Sequence, residues 1–292
     1  MMRQSGIKVA IAAAALLFGG AARAGVPFNN LEGVGGVAFN PVAYPAAEGE
    51  GVKTGFLDIA KPRIGAWYVN LGQSSIRWTT IGVATSVNKR VEASFGYEAT
   101  AIGGFLGINE TVHKYNVGGK VVVLDENAFG TKFLPSIAAG VVWKKSDYHP
   151  NADSQGVDYY AVATKMVTEL GAPVLLSVGG LSTKGMVTGL IGFNKERAIV
   201  PFANIDVVPL SWLALGFEYK KGPNFGQAGG GYVDADYYNV HAGWFVTKGV
   251  TLIAAYTYAG GKTDTNSSNA PGSAANPIGF GNGLVIAGQY AF

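Results

Sequence analysis

Cysteine is absent from the 292 residues, which removes disulfide frameworks, Cys-ligated zinc, iron–sulfur clusters and thiol catalysis together. Charge is scarce: Asp, Glu, Lys and Arg make up 14% of the chain, against roughly 25% in an average soluble protein. Histidine occurs three times, which leaves little for general acid–base chemistry. Beyond the N-terminal segment no apolar run reaches about 18 residues, so a helical membrane protein is excluded. Glycine takes the place of charge, with 43 residues, beside a hydrophobic content of 48%. No Gly-X-Y period appears, which excludes collagen, and the apolar content excludes disorder.

The first 24 residues predict an export signal. Arg3 and Lys8 form a positive region, Val9 to Ala22 an apolar run of 14 residues, and Ala22-Arg23-Ala24 a small-residue cleavage pattern. The run is shorter than the roughly 20 residues of a membrane anchor. The segment holds three bases and no acid, so the remainder carries 22 − 3 = 19 basic and 19 acidic residues. A formal net charge of zero gives no argument for a nucleic-acid partner.

The remaining hydrophobicity alternates at a period of two. Val91, Ala93, Phe95, Tyr97 and Ala99 alternate with Arg90, Glu92, Ser94, Gly96 and Glu98; Leu213, Leu215, Phe217 and Tyr219 oppose Ala214, Gly216, Glu218 and Lys220. The non-apolar face is rich in Gly, Ala and Ser, as a tapering lumen is. Such segments predict an all-β, transmembrane, antiparallel up-and-down β-barrel of about 12 strands, within a range of about 10–14. The strands fall at 63–71, 76–87, 90–101, 111–124, 133–145, 157–168, 172–182, 197–208, 211–221, 235–246, 250–260 and 281–292. Their connections alternate between short and long, apart from the short link Gln73 to Ser75, which makes the first strand the weakest assignment. That asymmetry predicts a bacterial outer-membrane barrel with both termini in the periplasm. Tyr97, Tyr115, Tyr159, Tyr160, Tyr219, Tyr237, Tyr238, Tyr256 and Tyr258 gather at the long-loop ends, and Trp212, Trp244, Tyr290 and Phe292 at the other, as two interfacial girdles.

In the last strand, LVIAGQYAF, Leu284, Ile286, Tyr290 and Phe292 share one face. This resembles the C-terminal signal by which the outer-membrane barrel assembly machinery recognises its clients, with Gly288 departing from the usual apolar choice. Most of the chain is similar to uncharacterised secreted barrels of proteobacteria. Residues 25–62 are organised differently, with Gly33, Gly35 and Gly36 ahead of Asn40-Pro41 and Pro45. They divide the chain into the signal (1–24), an N-terminal segment (25–62) and the barrel (63–292). The segment is read as a plug, with an extra strand pair (34–40 and 52–60, making fourteen strands) or a loose periplasmic arm as alternatives. Ala38 to Pro41 with Ala43 faintly resembles the N-terminal hatch of the long-chain fatty acid transporter family.

Charges cannot face acyl chains cheaply, at roughly 2–4 kcal/mol for Arg or Lys at mid-membrane. Arg90, Glu92, Glu98, Lys114, Lys120, Lys144, Lys165, Asp206, Glu218, Lys220 and His241 are therefore expected to line the lumen, with Glu92 and Glu98 in reach of Lys114 and Lys120. No catalytic or metal site and no cofactor is expected. His149 lies near Asp147, Asp153 and Asp158 in what reads as an exposed loop, and neither GQAGGG (226–231) nor GGKT (260–263) has the setting of a nucleotide loop. The expected function is passive passage of unknown small-molecule cargo through a narrow or selective channel. A structural or adhesive barrel is the alternative, and an outer-membrane hydrolase the third. The expected partners are outer-membrane lipid, lipopolysaccharide and the barrel assembly machinery.

Overall fold

The computed structural model describes residues 28–47, 51–150, 152–226 and 231–292; the predicted export signal lies outside them. The alternating segments form twelve long strands: β1 Arg63–Leu71, β2 Ile76–Val87, β3 Val91–Gly103, β4 Asn109–Leu124, β5 Ser136–Ser146, β6 Gln155–Val167, β7 Val174–Gly185, β8 Phe193–Leu210, β9 Leu213–Lys220, β10 Tyr237–Phe245, β11 Val250–Ala259 and β12 Asn282–Ala291. Each pairs antiparallel with the next, and β12 pairs back onto β1 from Leu284–Asn70 to Ala291–Arg63. The closed ring leaves no strand edge, the condition for a sheet to stand in hydrocarbon. The weakest assignment, β1, is a full member. Its short link to β2 is a tight turn over Gly72–Ser74 with Ser75 at φ 54°.

Side chains alternate across each strand. On β3, Val91, Ala93 and Phe95 are exposed while Glu92, Ser94, Gly96 and Glu98 are buried. Val117, Val141, Phe217, Leu284 and Ile286 extend this outward apolar belt, an arrangement that lipid stabilises and water does not. Tyr219, Tyr238 and Tyr258 stack at 5.5 and 5.3 Å on β9, β10 and β11 near the long-loop end. Tyr160 departs from its expected place in that girdle: it is buried at 5% exposure, because it shares the inward parity of Asp158 and Val162. Tyr237 is likewise half-buried, on the wall of an interior cavity.

Several strands run past their expected ends on the long-loop side, to Gly103 and Gly185 and back to Asn109 and Phe193. Pairing satisfies their backbone groups in water as well as in lipid, so the ladder does not stop at the bilayer. A fourteen-strand ring does not form. Val52–Thr54 and Leu57–Ile59 make a small hairpin joined to β2 by the single pair Ile59–Val87. Within 34–40 only Gly35–Gly36 pairs, and with Phe28–Asn29. Residues 28–47 are almost wholly buried, which also departs from a loose arm.

Phe95→Arg should therefore cost on the order of 2–4 kcal/mol in a bilayer. Heat-modified gel mobility after refolding into lipid vesicles should show a reduced folded fraction for Phe95→Arg and a near-normal one for Phe95→Leu.

Candidate functional site in the barrel interior

The inward face of β3 meets that of β4 in register, with Glu92 opposite Lys120 and Glu98 opposite Lys114. Both pairs close, at 3.1 and 2.9 Å, with all four side chains buried. The second pair belongs to a longer chain: Lys114 and Lys144 both contact Glu32 of the N-terminal segment, and Lys144 reaches Asp158 on β6 at 2.7 Å. Burial alone would push the Glu32 carboxyl up, but Lys144, Lys114 and Lys220 outweigh it and hold it well below the usual carboxylate range.

On the opposite wall, His241 (β10) and Asp206 (β8) meet at 2.7 Å across β9. Gly216 of β9 is paired with both, and a Cβ there would overlap the His241 ring and the Asp206 carboxylate; the contact needs that glycine. The other ring nitrogen lies 2.7 Å from Asn239 Oδ1, and the Asn239 amide donates to Glu218. With both ring nitrogens engaged, His241 has none free to accept a proton from a nucleophile.

These wall charges hold the N-terminal segment by its backbone. Glu92 accepts the N–H groups of Gly35 (2.8 Å) and Ala46 (2.6 Å), and Glu218 those of Ala38 and Asn40 (both 3.1 Å). Lys120 donates to the carbonyls of Gly35, Val42 and Tyr44. Thr164 of β6 accepts Ala43 N–H, while Trp67 of β1 and Gln289 of β12 donate to the Asn29 carbonyl. The segment thus spans the interior from β1 and β12 to β6 and β9. It is seated by glycine: Gly82 and Gly96 are register partners on β2 and β3, and Gly33 (φ +87°) lies on them closely enough that a Cβ at any of the three would overlap backbone.

At the long-loop end, Met186–Gly189 turns inward with Val187 and Thr188 in the left-handed region, which costs non-glycine residues energy and needs fixed contacts to persist. Those contacts are present. Lys114 donates to the Thr188 carbonyl at 3.0 Å, Ser146 to the Leu190 carbonyl at 2.7 Å, and Val187 N–H donates to Asp234 at 2.8 Å. Asp234, in the connection between β9 and β10, also accepts the Tyr232 hydroxyl at 2.6 Å. Burial pushes its carboxyl up to about 7, against the opposing effect of these two donors.

Of the residues expected inside, Glu92, Glu98, Lys114, Lys120, Lys144, Asp206, Glu218, Lys220 and His241 are buried and face the interior. Arg90 does not. The turn includes it, with Asn88 and Lys89 at positive φ, so strand parity stops at Val91, and Arg90 is half exposed in an ion pair with Asp125. Lys165 shares the outward parity of Ala161 and Ala163 on β6; it lies near the short-turn end, where Glu126 (3.1 Å) and Asn127 engage it. Glu32 and Asp158 were not foreseen. The expected inward set held six basic residues besides His241 and four acidic ones, a surplus that itself called for further carboxylates. Among the described residues no cluster of His, Asp and Glu suited to a metal ion occurs.

Comparison with known proteins places this geometry. The chain belongs to the family described as "Protein of unknown function (DUF3034)", whose model matches residues 23–270. A search of curated proteins gives no match. Among solved structures, the KdgM porin is similar at 11% identity and TM-score 0.51, over 79% of this chain and 99% of that one. The NanC porin matches at 9% identity and TM-score 0.45 over 79% of this chain and all of that one. A Salmonella typhi outer membrane phospholipase matches at 11% and 0.40 over 83% and 94%. The first likeness shows a porin-like outer-membrane barrel fold; the other two are too distant to carry an argument. Neither the family nor these structures links the chain to the long-chain fatty acid transporters.

The raised Asp234 carboxyl sets the sign of a pH effect. Its contribution to loop closure is complete below about pH 4, where the freed carboxyl is also protonated, and is lost as pH rises to about 7, by at most about 4 kcal/mol. A fluorophore on Met186→Cys should report loop opening over that window, and Asp234→Asn should abolish the pH dependence; identical profiles would remove Asp234 from the latch.

Proposed function

We propose that the protein is an outer-membrane channel for small molecules, narrow or substrate-selective because residues 28–47 act as a plug. One observation carries this reading: the segment is held by side chains from opposite walls, Glu92, Lys120 and Glu218, bonded to its backbone. Charge-assisted bonds of this kind contribute roughly 1.5–3 kcal/mol each. They hold a segment firmly without making it part of the sheet, and the sheet closes without it. In this reading the export signal is removed, both termini and the short turns face the periplasm, and the long loops face outward, where lipopolysaccharide surrounds the barrel. The β12 face of Leu284, Ile286, Tyr290 and Phe292 serves recognition by the assembly machinery.

A sealed structural barrel is the second reading, favoured by the buried chain Glu98–Lys114–Glu32–Lys144–Asp158, which braces four strands and the segment at once. No catalytic role is proposed.

Planar-bilayer recording separates the two. The full chain should be silent or open briefly, while deletion of residues 28–47, or the double change Glu92→Gln with Glu218→Gln, should give sustained conductance. Variants shown to be folded by gel mobility and still silent would establish the sealed barrel instead.

A further inference from the structure

Three cations gather on the outward face of β5–β8, at the long-loop end of the barrel. Arg197 of β8 reaches back over β7: its guanidinium donates to the Ser182 carbonyl of β7 at 3.2 Å and to the Val157 carbonyl of β6 at 2.8 Å. The same group lies 4.8 Å from the centre of the Tyr159 ring. Lys184 stands two residues beyond Ser182 on β7, in the outward alternation, with Thr183 buried between them. Lys145 stands two residues beyond Trp143 on β5, and Trp143 is the register partner of Val157. Steps of roughly 5 Å between strands and 7 Å along them therefore separate each lysine from the residues that fix the guanidinium.

No carboxylate among the described residues forms an ion pair with Lys145, Lys184 or Arg197. Of the acids nearest in sequence, Asp147 accepts the backbone N–H of His113 on β4, and Asp153 and Glu196 are exposed. Three like charges held this close repel one another, and an anion from outside the chain relieves that cost. Across the barrel the same rim is satisfied from within: Lys221 meets Asp236 at 3.7 Å, and Tyr219, Tyr238 and Tyr258 stack on one another. Below the three cations come the exposed rings of Trp143 and Tyr159, and the apolar belt continues with Val141, Ile199 and Val178. Charge, aromatic ring and hydrocarbon follow in the order of a lipid's headgroup, interface and acyl chains.

We propose that this face binds one lipopolysaccharide molecule of the outer leaflet. The phosphates of its lipid A accept from Lys145, Lys184 and Arg197, and its acyl chains lie against Val141, Val178 and Ile199. A phosphatidylglycerol brings one phosphate to three cations, whereas lipid A brings two, which sets the preference. The site rests on the outward orientation of the long loops proposed above. It requires no conduction, so it stands or fails apart from the plug.

The test is native mass spectrometry of the full chain folded in a non-ionic detergent and titrated with bisphosphorylated lipid A, with dephosphorylated lipid A and phosphatidylglycerol as controls. Bisphosphorylated lipid A should saturate at one tightly held molecule per barrel, and the controls should bind more weakly. Lys145→Gln with Arg197→Gln should weaken that binding by about tenfold or more, as expected for the loss of two cations from a headgroup site. Lys221→Gln, on the other side of the rim, should leave it unchanged. Gel mobility confirms folding, and should the double variant fail to fold, Lys145→Gln and Lys184→Gln decide singly. Equal binding of phosphatidylglycerol, or unchanged affinity in the folded variants, would overturn the proposal. Labelling of Ser154→Cys in intact cells checks the orientation separately: a cysteine reached only from the periplasm would remove this lipid as the partner, whatever binds in detergent.

Discussion

A carboxylate or ammonium enclosed by a barrel must be paired or be neutralised, since the interior offers it little water. This structure resolves that demand by letting wall charges bond the backbone of a separate piece of the same chain. Glu92 and Lys120 satisfy each other at 3.1 Å and spend their remaining capacity on Gly35, Ala46, Val42 and Tyr44. Removing one partner would leave the other charge buried and the segment's backbone without its bonds. The glycine seat at Gly33, Gly82 and Gly96 follows from the same arrangement, because backbone must approach backbone before the side chains can reach it.

The barrel itself was legible from the sequence because lipid imposes the alternation on every strand. Val91, Phe95 and Tyr97 could only face outward if Glu92 and Glu98 faced inward, and the pairing of those acids with Lys120 and Lys114 followed from placing β3 beside β4. Parity fails where the strand does. Arg90 continues the inward series on paper, but the turn at Asn88 and Lys89 rotates it out to Asp125. Lys165 was assigned inward on the cost of a charge in lipid, yet it lies near the short-turn end, where that cost falls away and Glu126 is at hand.

The path of residues 28–47 was not legible, for a different reason. Its contacts are made by the segment's backbone, which carries no sequence signature, to side chains scattered along the rest of the chain, from Glu92 and Lys120 to Glu218 and Gln289. Glu32 was the available clue: a lone acid in a Gly-rich apolar stretch, facing an interior with lysines in excess.

The account therefore rests on the bonds between wall charges and segment backbone, and amide hydrogen exchange measures them directly. In the folded full chain, the N–H groups of Gly35, Asn40, Ala43 and Ala46 should be protected to a degree comparable with amides in the β3–β4 ladder, and Glu92→Gln should release Gly35 and Ala46 first while the ladder stays protected. Rapid exchange of all four amides in a barrel whose ladder is protected would contradict the account.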